Sequence, residues 1–503
     1  MELIQNLGLG FSTAFTLANL TYCLIGVVLG TAIGVLPGLG PVATISMLLP
    51  ITFGMEPTTA LIMLAGIYYG AQYGGSTTAI LVNLPGESAS VVTALDGYQL
   101  ARKGKAGLAL ATAAIGSFIA GTFATILIAF FAPPLAEIAL TFGPAEYFSL
   151  MVLGLVASVV LAHGSLLHAF AMIFLGLLLG MVGADVNSGV FRYTFGFLQL
   201  TEGINFVVVA MGMFGLGEII ANLNSDTSRP LIEKRITGLF PTRADLAQMA
   251  APILRGTALG SALGILPGGG AMLSSFASYS LEKKLSAHPE EFGKGALAGV
   301  AGPESANNAG AQTSFIPMLT LGIPANPVMA LMVGALIVHG IQPGPSVISE
   351  QPALFWGLIA SMWLGNVMLL VLNLPLIGMW VRLATLPYGM LYPTIIVFCS
   401  IGVFSLNNGT FDIYLMALFG VVGYLLRKID CEPAPLLLGF ILGPLMEEHL
   451  RRTLLLSGGD PIVFVSRPIS LTLLLIAALL LVLILAPSLR RRRDEVFVEE
   501  DAL

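Results

Sequence analysis

The chain is 503 residues long, 56% of them hydrophobic and only 10% charged, with a mean hydropathy of +0.90. A water-soluble domain of this length does not reach that balance, so its solvent is largely lipid. The net charge of −6 carries no nucleic-acid footprint, and Cys23, Cys399 and Cys431 are scattered without the spacing of metal ligands or a disulfide framework.

A helical span takes ~20 mostly apolar residues, and about 10 to 14 membrane segments can be placed, some of them short. No basic residue precedes the first apolar stretch, as one would before a cleaved signal peptide, so that stretch is expected to remain a membrane element. Long apolar runs follow at 108–132, 145–183, 204–223, 352–378, 391–405, 412–427 and 469–487, each bounded by Gly, Pro or charge. The polar stretch opened by Asn224 holds Arg229, Lys234, Arg235, Arg243 and Arg255, and the C-terminus carries Arg490 to Arg493 before an acidic end. Enrichment of Lys and Arg places both on the cytoplasmic side. The expected organisation is a first membrane half over 1–223, a cytoplasmic connection over 224–255, a second membrane half over 256–487 and a cytoplasmic tail over 488–503.

Two internal matches support the division into halves. Residues 30–40 read GTAIGVLPGLG and residues 260–270 read GSALGILPGGG, identical at seven of eleven positions and 230 residues apart. A second arm follows each, YGGSTTAILVNLPG at 73–86 and NNAGAQTSFIPMLTLGIP at 307–324. Both end in an apolar-Pro break. Such duplication is the mark of transporter repeats.

The basic residues are mirrored between the halves. None precedes Arg102, which with Lys103 and Lys105 follows the first unit; five precede the second Pro-Gly-Gly-Gly, and none lies between Lys294 and Arg382. This predicts inverted repeats, with an outward N-terminus and a cytoplasmic C-terminus. Because Lys283, Lys284 and Lys294 return so soon after Arg255, residues 256–282 read as an in-and-out hairpin with its tip near 267–270, matched by a first tip near 37–41. The predicted class is therefore an all-α polytopic membrane protein whose segments include re-entrant and broken helices.

At such breaks, hydroxyls, amides and released carbonyls are oxygen ligands suited to Na⁺, and helix N-termini offer N–H groups to a carboxylate. The carboxylate-facing set is expected to be Pro37, Gly38, Gly40, Ser76, Thr77, Asn83, Gly268, Gly270, Asn308 and Thr313. The set expected to hold Na⁺ is Gly75, Thr78, Asn307, Gln312 and Ser314. The competing reading is that small and polar residues merely let helices approach and bond across interfaces. Glu87, Asp96 and Glu304 lie beside the breaks, and a carboxylate within the membrane is costly enough to be a candidate for proton or cation coupling. Asp96, leading straight into Arg102 and Lys105, reads as a cytoplasmic loop carboxylate. The five histidines show no ligand spacing, so no haem or other cofactor is expected.

The runs GVLPGLGP, YGGSTTAILVNLPG, DGYQLARKGKA, NNAGAQTSFIPMLTLGIP, HGIQPGP and LGFILGPLMEEHLRRTLLLSGGD, over about residues 20 to 470, together resemble the large membrane subunit of tripartite tricarboxylate transporters, the TctA family. The resemblance implies a secondary transporter of the bacterial inner membrane with inverted repeats and elevator-type motion. It implies uptake of di- or tricarboxylates or related organic acids, driven by a cation gradient, usually Na⁺. Its implied partners are a small membrane subunit of about four helices, TctB-like, and a TctC-like periplasmic solute-binding protein that delivers the substrate. One departure is GIPANP at 322–327, where members often carry Gly after the Pro. Glu447, Glu448, Arg451 and Arg452 read as a charge network at the membrane edge.

Two other classes stay open. An intramembrane hydrolase would use Ser76 or Ser314 as nucleophile and needs a base beside it. A passive channel would need a ring-forming filter, and no stretch resembles one.

Overall fold

A computed structural model describes residues 2–36, 40–83, 86–161, 165–185, 188–222, 236, 238–266, 270–383 and 388–485. The helices of the first half are α1 (Glu2–Ala14), α2 (Leu17–Gly34), α3 (Pro41–Leu48), α4 (Pro57–Val82), α5 (Val91–Arg102), α6 (Ala106–Ala139), α7 (Pro144–Leu161), α8 (Leu166–Gly180), α9 (Phe206–Ala210) and α10 (Gly217–Asn222). The second half contributes α11 (Arg243–Gly264), α12 (Gly270–Leu285), α13 (Ala298–Thr313), α14 (Phe315–Leu321), α15 (Pro327–Val338), α16 (Ser346–Glu350) and α17 (Pro352–Asn373). It closes with α18 (Ile377–Leu383), α19 (Tyr388–Asn407), α20 (Thr410–Lys428), α21 (Pro433–Leu456), α22 (Val463–Ser466) and α23 (Pro468–Leu485). A two-residue antiparallel ladder, β1 (Gly183–Ala184) with β2 (Phe191–Arg192), is the sheet among the described residues.

This is an all-α membrane protein. Among the described residues, α2, α6, α17 and α20 are long and apolar enough to cross a bilayer, and six shorter apolar stretches accompany them. In lipid a helix satisfies all of its own backbone groups, which is why an apolar chain takes this form. The sidedness of α6 is reversed from that of a soluble helix. Ile119, Phe123, Ile126 and Phe130 form an exposed stripe, whereas Ser117, Ala120, Ala124 and Thr125 are buried. Apolar side chains face lipid, and small or polar ones face protein.

At the centre lie α4 and α13, buried on every side from Thr59 to Val82 and from Gly299 to Thr313. Helix α2 packs along α4, and α11 packs along α13. Along α2, Gly26, Gly30 and Gly34 rest on the carbonyls of Met63, Ile67 and Ala71; along α11, Gly256, Gly260 and Gly264 rest on those of Gly302, Ala306 and Gly310. A methyl group at Gly30 would stand 2.2 Å from the Ile67 oxygen, and one at Gly260 would stand 2.3 Å from the Ala306 oxygen. Backbones this close require glycine. The two glycine triplets keep the 230-residue offset of the sequence match.

Four sequence expectations change here. The apolar run 145–183 is divided between α7 and α8, and 204–223 is interrupted by a π-helical turn at Met211–Leu216 between α9 and α10. Residues 243–255, expected within the connection, form the first half of α11, which starts at a capping box between Thr242 and Asp245. Asp96 is not in a loop: it sits within α5 and is fully buried. The expected tip residues 37–39 and 267–269, the connection at 223–235, and the tail from 486 lie outside the described residues.

Candidate functional site

Both central arms break in the same way. Helix α4 is capped by Asn83 in the left-handed region (φ 57°), and α14 is capped by Gly322 (φ 72°), each two residues before a proline. Asn and Gly tolerate this conformation and so end a helix sharply. Beyond the first break, Gly86 lies so close to the end of α2 that a methyl group there would be 2.2 Å from the Gly34 oxygen. Gly40, which starts α3, faces the Gly86 carbonyl. Beyond the second break, Asn326 caps α15, its Oδ1 accepting from the Met329 N–H at 2.9 Å, while its Nδ2 donates to the Tyr68 hydroxyl at 3.5 Å. Gly270 (φ 31°) opens α12 against the same Asn326 side chain. Gly40 and Gly270, which follow the two expected tips, thus each lie at the helix break of their own half. Pro37, Gly38 and Gly268 are outside the described residues.

Between the central helices stands the carboxylate of Glu304, fully buried. Ser76 Oγ of α4 donates to it, 2.8 Å from both oxygens, Thr93 Oγ1 of α5 donates to Oε1, and Ser117 Oγ of α6 lies 3.5 Å from Oε2. Asn308 Nδ2 donates to Ser117 Oγ at 2.6 Å, which directs the serine proton toward the carboxylate. The same face continues along both helices. Thr125 Oγ1 donates to Gln312 Oε1 at 2.7 Å, and a methyl group at Gly121 would lie 2.7 Å from amide atoms of both Asn366 and Gln312. Glu304, Asn308 and Gln312 on α13 therefore meet Ser117, Gly121 and Thr125 on α6, each set at four-residue spacing. The result is a polar seam ~12 Å long, at 1.5 Å per residue, inside an apolar surround.

Of the predicted residues, Ser76, Asn308 and Gln312 join this seam. Asn307 Nδ2 donates to Glu87 Oε1 at 3.1 Å, leaving Asn307 Oδ1 buried without a partner among the described residues. Thr77, Thr78, Thr313 and Ser314 donate instead to carbonyls of their own helices, to Tyr73, Gly75, Ala309 and Ala311. The packing reading therefore describes those four hydroxyls. Gly75 is a contact point, set against Glu87 and Ser90, with its carbonyl accepting from Thr78 Oγ1 at 3.0 Å. Among the described residues no three His, Cys, Asp or Glu side chains converge, so the donors offered to a cation are hydroxyls, amides and single carboxylates. Within the set expected to hold Na⁺, Asn307 Oδ1 is the side-chain oxygen left without a partner among the described residues.

Sequence reasoning missed Thr93, Ser117, Thr125 and Asn366. Ser117 and Thr125 were readable as polar breaks in an apolar run, eight positions apart, as are Glu304 and Gln312. No local pattern marks Thr93 or Asn366.

Charged side chains find partners at three further places. Asp96 accepts from the Gly295 and Ala296 N–H groups at 2.6 and 2.8 Å and from the Tyr279 hydroxyl at 3.0 Å, tying α5 to the segment that leads into α13. Arg255 on α11 pairs with Glu282 on α12, Nε to Oε1 at 2.7 Å, so these two helices are joined at one level. Arg451 binds Glu447 at 2.7 Å and Asp185 at 2.9 Å, and Arg192 binds Glu447 at 2.7 Å, so of the four charged residues expected to form a network Glu447 and Arg451 pair, with each other and with the β1–β2 region.

The chain is similar to two proteins of Agrobacterium vitis. One, described as "Uncharacterized 52.8 kDa protein in TAR-I ttuC' 3'region", is 63% identical over 501 residues, with 100% of both chains covered. The other, "Uncharacterized protein in TAR-II ttuC' 3'region", is 64% identical over 242 residues, 48% of this chain and 100% of the relative. No solved structure matches. Residues 20–438 match the family described as "Tripartite tricarboxylate transporter TctA family". That match spans both glycine-packed hairpins, both helix breaks and the polar seam, and the chain belongs to the TctA family, the large membrane subunit of tripartite tricarboxylate transporters.

Proposed function

We propose that the chain is the transport subunit of a binding-protein-dependent importer of di- or tricarboxylates or related organic acids, working by alternating access and driven by a cation gradient, with Na⁺ as the coupling ion. The observation that carries this reading is the pair of broken arms, each ending in a left-handed residue and each approached by the glycine that follows the expected tip of its own half, Gly40 and Gly270. Broken helices paired with hairpins bring backbone N–H and C=O groups to the depth where substrate and ion bind in secondary transporters. Family membership supports the cargo class and the two partners, a small four-helix membrane subunit and a periplasmic solute-binding protein. The mirrored basic residues support inverted repeats in the inner membrane, with the N-terminus outside and the C-terminus inside. An elevator-type movement would carry the breaks across the bilayer. The pairing of Arg255 with Glu282 supports the re-entrant hairpin, for which cysteines at positions 255 and 284 label from the same membrane side; labelling from opposite sides removes the hairpin.

An intramembrane hydrolase would take Ser76 as nucleophile with Glu304 as its base, 2.8 Å away. That carboxylate is shared by three hydroxyls at once, an arrangement that holds charge and does not single out one nucleophile. The deciding experiment is uptake of labelled organic acids into proteoliposomes that contain all three components, with and without a Na⁺ gradient. Gradient-dependent accumulation is expected. Accumulation that ignores the gradient would overturn the coupling.

A further inference from the structure

Beside Glu304 a narrow cavity, of about the size that holds one water molecule, is lined by Tyr73 and Ser76 of α4, Ser117 of α6, Glu304 of α13 and Asn373 of α17. Two of these groups point to an occupant. Tyr73 Oη and Asn373 Oδ1 are buried with no hydrogen-bond partner among the described residues, Tyr73 being 4% and Asn373 4% exposed. A buried polar atom left unpaired is costly, and such atoms seldom persist unless something binds them. The carboxylate poses the same question. Glu304 is held by Ser76, Thr93 and Ser117, and no Lys, Arg or His ion pair reaches it among the described residues. Hydroxyl donors soften a buried negative charge without cancelling it, and in the membrane interior an uncancelled charge is expensive.

We infer that this cavity is a binding site for one dehydrated monovalent metal cation of the size of Na⁺, ligated by Glu304 together with Tyr73, Ser76, Ser117 and Asn373. Hard oxygen donors, one carboxylate among neutral groups, suit such an ion, and the single negative charge matches its single positive one. A proton would neutralise Glu304 equally well but would leave Tyr73 Oη and Asn373 Oδ1 unpaired. The ligands come from α4, α6, α13 and α17, helices of both halves, so occupancy would tie the two central arms together. This deepens the proposed function, since it rests on cation coupling and names the residues that would carry the ion. It replaces the expected set of Gly75, Thr78, Asn307, Gln312 and Ser314: the oxygens of four of them already have partners, and Asn307 turns to Glu87 rather than to this cavity.

The test uses the full chain in lipid nanodiscs, with thermal unfolding followed at constant ionic strength as choline is exchanged for Na⁺ or K⁺. A ligand that binds only the folded state raises the midpoint with its concentration. Wild-type protein should show a saturable rise with Na⁺ and a smaller one with K⁺. Glu304→Gln should lose the rise, and Tyr73→Phe and Asn373→Leu should shift half-saturation at least tenfold to higher Na⁺. In choline alone, Tyr73→Phe should unfold no earlier than wild type, because it removes an unsatisfied atom, and Asn373→Leu, which also gives up the Nδ2 bond to the Leu369 carbonyl of its own helix at 3.0 Å, should stay close to wild type; this separates binding from structural damage. A Na⁺ response unchanged in these two variants would overturn the site, as would stabilisation of wild type by acid alone with no Na⁺ effect. The transport reading is judged separately in proteoliposomes. Na⁺-driven uptake with wild-type half-saturation in Asn373→Leu refutes the site and leaves the transporter intact, whereas wild-type uptake indifferent to every cation gradient refutes both.

Discussion

Ser76 and Glu304 lie 228 residues apart in sequence and are joined by a hydrogen bond of 2.8 Å across the interface of the two central helices. It is a direct polar link between the duplicated arms, and it places a hydroxyl of the YGGSTT motif on a carboxylate of the second half. Replacing Ser76 by Ala removes one donor to a charged acceptor, a loss of about 1.5 to 3 kcal/mol for such a bond. The expected result is an initial uptake rate at least about tenfold below wild type, measured in proteoliposomes, together with a lower unfolding midpoint. Ser76→Thr, which keeps the hydroxyl, should recover part of both.

Glycine packing makes a second, purely structural prediction. A methyl group at Gly30 or Gly260 would stand 2.2 or 2.3 Å from a backbone carbonyl oxygen of the neighbouring helix, which cannot rotate away. Gly30→Ala and Gly260→Ala should each destabilise by about 1 to 3 kcal/mol, the usual range for overpacking. Gly8 in α1 has nothing within 4 Å of the corresponding position. There the same change should be neutral or stabilising by up to ~1 kcal/mol through helix propensity. Thermal unfolding of the three variants in one detergent decides it, and equal midpoints would contradict the packing.

Asp96 should matter for stability in a graded way. Its carboxylate satisfies two backbone N–H groups and the Tyr279 hydroxyl. Asp96→Ala leaves both amides unpaired, at about 1 to 3 kcal/mol each, whereas Tyr279→Phe forfeits one donor and should cost about 1.5 kcal/mol. Asp96→Asn keeps a carbonyl oxygen and should fall between them. Because α5 also carries Thr93 to Glu304, uptake should follow the same order; an Asp96→Ala protein with wild-type stability would exclude this bridge.

The start of α11 should respond to acid. The Thr242 hydroxyl and N–H both donate to the Asp245 carboxylate and hold its pKa below the ordinary 3.8. A carboxyl lowered in the folded state stabilises the helix start above the unfolded pKa and loses that contribution as pH falls through the folded one. Amide exchange over residues 243–248, corrected for intrinsic rates, should therefore show unchanged protection from pH 7 to about 5 and loss of protection only below about 4. Thr242→Ala should mimic the acid state at neutral pH, at ~1 kcal/mol for a lost cap. Protection that falls already at pH 6 would point to another group.

Much of the site could be read along the chain, and the reason differs by residue. The helix breaks at Asn83–Pro85 and Gly322–Pro324 were legible because Pro and left-handed residues act locally. Glu304 stood out because a carboxylate in an apolar run is conspicuous anywhere in the sequence. The role of Thr313 or Ser314 was not legible: a hydroxyl in a membrane helix can bond its own backbone or a neighbour, and only the neighbour's position chooses. Asp96 was misread for a related reason. Its closeness to Arg102 and Lys105 spoke for a loop, while its partners, the amides of Gly295 and Ala296, are some 200 positions away.

The sequence by itself determined the solvent, the helical class, the duplicated Pro-Gly tips and the family resemblance, because hydropathy, composition and local backbone chemistry need no partner to be expressed. Only the tertiary structure decided that Ser76, Thr93, Ser117 and Asn308 gather around Glu304, that α6 and α13 share a polar seam, and that Asp96 is a buried bridge. Those are contacts between helices far apart in the chain. In a membrane, where apolar contact with lipid nearly equals apolar contact with protein, the glycine approaches and the pairing of buried polar groups select which helices meet.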